Sequence, residues 1–121
     1  LAVRLQACKI GDAGLAHLKG CERLTHIDIG QNKKITDKCL PTLLSFKNLI
    51  HLDLTDTSVT MVGFRQLSKL PKLSHFGFAF SSVSEQQLAE LRKLMPHCQI
   101  TNSRGGKVPL DAFEPISKKR R

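Results

Sequence analysis

The sequence contains neither tryptophan nor tyrosine, and most of its six phenylalanines fall where a repeating apolar pattern places the core. With so few free rings, nucleic-acid bases have little to stack on. The formal net charge of +9 would have to carry such binding alone. That charge is not concentrated on one element of the repeating part. In residues 101–121, six basic side chains (Arg104, Lys107, Lys118, Lys119, Arg120, Arg121) face only Asp111 and Glu114, which puts +4 of the +9 in the tail. The reading disfavours nucleic acid as partner.

No apolar run approaches the ~20 residues that span a bilayer, so no membrane span is expected. CxxC pairs and zinc-type Cys/His spacings are also missing, and Cys8, Cys21, Cys39 and Cys98 stand far apart. Structural zinc is therefore not expected. Cys8 and Cys21 are read as small buried apolar residues rather than a disulfide frame, which leans towards a reducing compartment. There is no Gly-x-Ser-x-Gly, no His-Glu-x-x-His and no glycine-rich phosphate loop. The expectation is a non-catalytic chain with no cofactor and no metal.

What is present is a period. Leu24-Thr25-His26-Ile27-Asp28-Ile29 recurs as Leu49-Ile50-His51-Leu52-Asp53-Leu54 and as Leu73-Ser74-His75-Phe76-Gly77-Phe78. Val3 and Leu5 fit one period earlier and Ile100 one period later. The rest of the unit keeps step: Ile10, Ile35, Val59 and Val83 align, as do Leu15, Leu40, Phe64 and Leu88. One insertion near Lys33 and Lys34 keeps every column in register. Each unit opens with a period-two segment, in which Ile27 and Ile29 point inward while His26, Asp28 and Gly30 point outward; this predicts a strand. Apolar residues three and four apart, such as Leu40, Leu43 and Leu44, then predict a helix. Thr36, Thr60 and Ser84 are its candidate N-caps, and Ser84 with Gln87 has capping-box spacing. One unit buries too little to fold by itself, so the units must stack and share their apolar layers.

These motifs resemble the leucine-rich-repeat superfamily, whose unit reads L-x-x-L-x-L-x-x-N/C. Its ninth position is filled here by Cys8, Asn32, Thr57 and Ser81. Ile10-Gly11-Asp12-Ala13-Gly14-Leu15 and Ile35-Thr36-Asp37-Lys38-Cys39-Leu40 are similar to the I-T-D-x-G-L variant of bacterial repeat proteins and of cysteine-containing F-box substrate adaptors. The resemblance covers residues 1–102. It implies an α/β solenoid, a right-handed horseshoe segment of about four repeats with an incomplete first one, strands on the concave face and helices on the convex face. It also implies that the ninth position satisfies backbone groups in the turn after the strand. Residues 103–121 read as a C-terminal tail in which Val108, Leu110, Phe113 and Ile116 partly cap the last repeat. The Lys118-Lys119-Arg120-Arg121 end is read as loose, either a solvated terminus or a localisation or phosphate-binding cluster.

In stacked units the outward strand positions form columns. His26, His51 and His75 make one; Arg4, Asp28, Asp53 and Gly77 make another on the same face. Phe80 lands on a variable strand position, either as a rigid interface anchor or as cover for the last repeat. The expectation is that a protein partner binds this face through His26, Asp28, His51, Asp53, His75 and Phe80. Two rivals stand beside it. The imidazoles with Asp28 or Asp53 could form a cation site, or the chain could be an assembly subunit or fragment of a larger complex, self-associating through uncapped ends such as Ala2 to Leu5.

Overall fold

The computed structural model describes residues 1–102, so the predicted tail cap and the basic terminal cluster lie outside the described residues. Short strands β1 (Ala2–Arg4), β2 (His26–Asp28), β3 (His51–Asp53), β4 (His75–Phe78) and β5 (Gln99–Asn102) alternate with helices α1 (Asp12–Ala16), α2 (Leu40–Leu44), α3 (Met61–Gln66) and α4 (Glu85–Leu94). All neighbouring strands pair in parallel and lie in chain order. The result is an α/β architecture in which one strand and one helix recur per unit. Among the described residues no helix is long and apolar enough to cross a membrane.

The sequence period becomes sheet register. Ile27 pairs with Leu52, Leu52 with Phe76, and Phe76 with Ile100, so one apolar residue per unit builds a continuous buried layer. Alternation puts Ile29, Leu54 and Phe78 into the same core, where they meet Leu15, Leu40, Leu43 and Phe64 from the helices. At the third and fourth units the layer turns aromatic. Phe64 lies 5.3 Å from Phe76 edge-on and 4.7 Å from Phe78.

Polar side chains close each turn. The Thr36, Thr60 and Ser84 hydroxyls accept the backbone N–H of Lys38, Val62 and Gln87, and Gln87 returns its amide oxygen to the Ser84 N–H, completing a capping box. Asn32 is buried and ties two units together. Its amide group donates to the carbonyls of Leu5, Ile29 and Gly30, and its oxygen accepts from Ile10 N. Thr57 makes the shorter version, donating to Leu54 O at 2.8 Å. In the fourth unit it is Ser82, not Ser81, that closes the turn, onto Ala79 O at 2.7 Å.

A second tie recurs one residue after the cap position. The Thr36 backbone N–H and hydroxyl both donate to the Asp12 carboxylate, at 2.8 and 2.6 Å, and Thr60 does the same to Asp37, at 2.8 and 2.5 Å. The first and second units thereby each hold the helix cap of the next.

The cysteine expectation needs correcting. All four thiols are free, but Cys8 is exposed and Cys21 half-buried, while Cys39 is the buried one. Asn32 already occupies the polar interior beside the first turn by taking Leu5 O and Ile10 N, and Cys8 stays on the outside between Ala7 and Lys9, both at positive φ.

Candidate functional site

β2, β3 and β4 each begin with a histidine, and parallel in-register pairing sets His26 beside His51 and His51 beside His75. Their rings stack, with centroids 4.7 Å apart at 19° for the first pair and 4.0 Å apart at 8° for the second. The column continues to Ala2 on one side and Gln99 on the other. The residue before each histidine differs: Thr25 Oγ1 lies 2.8 Å from His26 Nδ1 and Ser74 Oγ 3.0 Å from His75 Nδ1, whereas Ile50 precedes His51. The flanking rings are half-buried and the central one is buried.

Near-parallel stacking has two chemical consequences. The nitrogen lone pairs lie in the ring planes and run side by side, so the imidazoles do not converge on a single cation. Among the described residues no group of three His, Cys, Asp or Glu side chains could hold a metal ion. Stacking also sets any imidazolium against its neighbours. Burial above all lowers the pKa of His26 below its ordinary value, and His75 adds repulsion.

The second column differs from its expected role. Arg4, Asp28, Asp53 and Gly77 are in register as read from the sequence. Yet Asp28 and Asp53 are only 2% and 5% exposed, and His51 only 8%, so these three are not solvated contact residues. The reason is local. Asp28 Oδ1 accepts the Gly30 N–H and Asp53 Oδ1 accepts the Thr55 N–H, each at 2.9 Å, folding the carboxylate back over the strand end. Gly30 makes room for both: a Cβ there would sit 3.0 Å from Asp53 Oδ1 and 3.2 Å from Asp28 Oδ1. Burial raises the Asp28 pKa, opposed by the Gly30 hydrogen bond and the charge of Arg4. These carboxylates shape the face rather than present themselves on it.

Phe80 is likewise placed differently. It opens a 3-10 turn, Phe80–Ser82, instead of extending β4, and it is half-buried. Its ring lies 5.4 Å from Phe78, and the Arg92 guanidinium sits 5.8 Å above it. The corresponding residues Ala7, Gln31 and Asp56 have positive φ. A bulky aromatic is costly in that region, which accounts for the different turn.

The face therefore combines a strip of stacked imidazoles, a buried carboxylate pair beneath its far side, and an aromatic ring at the fourth unit. The Asp12 and Asp37 ties were missed from sequence, although an aspartate directly after two successive cap columns was their signal. No protein-family model matches the chain, and no curated protein matches it significantly.

Proposed function

We propose that the chain is a segment of a leucine-rich-repeat solenoid and works as a non-catalytic protein-interaction module, its partner lying along the concave sheet. The observation that carries this reading is the histidine column: three successive strands deliver stacked rings in register to one sheet face. Such a strip is flat, preorganised and amphipathic, so little conformational freedom is lost when a partner covers it. His26, His75 and Phe80 are the accessible contacts. His51 fixes the spacing of the stack, and Asp28 and Asp53 hold the strand ends.

The test uses a partner captured from the native source and measured by calorimetry. A His26→Ala/His75→Ala variant with an unchanged melting curve should bind at least tenfold more weakly. Equal affinity would move the interface off this face.

A further inference from the structure

Because the strands are parallel and β1 to β4 are each followed by a helix, the connections returning from these helices to the next strand emerge at the same end of the sheet. Two of these connections, 67–73 and the stretch from Leu94 at the end of α4 to Cys98, flank an open cleft of about 170 Å³ lined by Leu70, Pro71, Leu73, Leu94, Met95 and Pro96, with Ser68 and His97 at its sides. Leu94 is 44% exposed, an unusual position for a large aliphatic side chain. Cys98 adds a neutral wall, since burial pushes its thiol up to about 11.

The chain segments that form this apolar cleft are basic. Lys69, Lys72 and Lys93 are exposed chain neighbours of lining residues, and stretches 67–73 and 92–98 contain no aspartate or glutamate. Lys72 Nζ donates to Asn48 Oδ1 at 2.7 Å in the preceding unit, which leaves Lys69 and Lys93 as the other charges nearest the cleft in sequence. The volume is close to the ~150 Å³ cavity known to accept a benzene ring, so the cleft fits one leucine- or phenylalanine-sized group.

We propose that this cleft is a second docking surface, distinct from the histidine face, which takes one apolar side chain of an acidic peptide segment while the lysines pair with its carboxylates. An apolar anchor within a charged rim is how short peptide segments gain both affinity and orientation. Nucleic acid fits less well, because the walls are mostly aliphatic and His97 is the one ring among the lining residues on which a base could stack. A bilayer fits less well too, because a concave cleft receives an apolar group whereas membrane insertion requires protruding ones.

The experiment selects phage-displayed random dodecapeptides on the full chain, then measures an enriched peptide by fluorescence anisotropy. The expected sequences carry one Leu or Phe among several Asp or Glu. Binding should fall at least tenfold in Lys69→Glu/Lys93→Glu and in Ser68→Trp, which plugs the cleft from an exposed position. It should weaken with salt and persist in His26→Ala/His75→Ala, which separates this surface from the sheet face. Circular dichroism melts confirm folding of each variant. Enriched peptides without the acidic and apolar pattern, or binding untouched by both cleft variants, would overturn the proposal. So would equal or tighter cleft-dependent binding of a twenty-residue oligothymidylate or of phosphatidylserine vesicles, because the surface would then recognise phosphates and not a peptide.

Discussion

The first two unit-to-unit steps and the third are held by different chemistry. Between the first and second units, and again between the second and third, an aspartate grips the next helix cap. At the third step Met61 stands where Asp12 and Asp37 stand earlier, and Ser84 caps its own helix through Gln87. The join relies instead on the Phe64, Phe76 and Phe78 cluster, supported outside by the Arg65–Glu90 pair at 2.6 Å. One repeating backbone thus tolerates either a polar tie or an aromatic layer. The choice follows the side chains available, since small aliphatic cores leave the tie more of the load.

The widest separation between the two kinds of join should come from truncating each. Phe76→Ala removes the centre of the aromatic layer and should cost about 3–5 kcal/mol, against about 1–2 kcal/mol for Asp37→Ala, whose carboxylate is partly accessible. Urea denaturation checks both, and equal losses would erase the distinction.

Two glycines in the same column sharpen it further. A Cβ at Gly63 would lie 2.6 Å from Asp37 Oδ1 and 2.7 Å from Val59 Cγ1, whereas at Gly14 the nearest atom is Ile10 Cβ at 3.6 Å. Gly63→Ala should therefore cost about 1–3 kcal/mol by breaking the tie. Gly14→Ala should gain up to about 1 kcal/mol of helix propensity. Thermal melts of the pair should shift in opposite directions.

A smaller effect is expected at Thr55, whose fully buried hydroxyl has no hydrogen-bond partner among the described residues. Thr55→Val keeps the shape and removes the orphan oxygen, so stability should rise by about 1 kcal/mol. A lower midpoint in urea would mean that the hydroxyl is engaged.

The smallest effects separate the histidine and carboxylate columns by pH. His26 has a lowered pKa in the fold, so the unfolded chain binds its proton first and stability falls as pH drops through about 6.5. Asp28 has a raised pKa, so the fold takes up its proton first and stability is regained as pH falls towards about 3.9. In urea titrations His26→Gln should flatten the first change, and Asp28→Asn should remove the second. Unaltered profiles would discount the contribution of burial at each site.

Architecture was readable in the sequence because the period acts on many residues at once. The Ile27, Leu52 and Phe76 column, the three caps and the histidine register all follow from spacing alone. Burial of the polar columns was not readable. Alternation says which side of a strand Asp28 and Asp53 occupy, but not that their carboxylates fold back onto Gly30 N and Thr55 N. That outcome depends on the absent side chain of Gly30, one unit away from Asp53. Phe80 was misplaced because a strand pattern carries no mark for its end when the usual left-handed residue is replaced by an aromatic. Cys8 was misread because Asn32, from the neighbouring unit, fills the space a repeat template reserves for it.

Strand order identical to chain order governs how the molecule comes apart. Among the described residues each strand pairs only with its neighbours in chain order, so a local lesion meets no distant crossover through which to spread. A lesion in one layer should therefore loosen its two neighbours first, and their amide protons should exchange with deuterated solvent before those of strands further along the sheet.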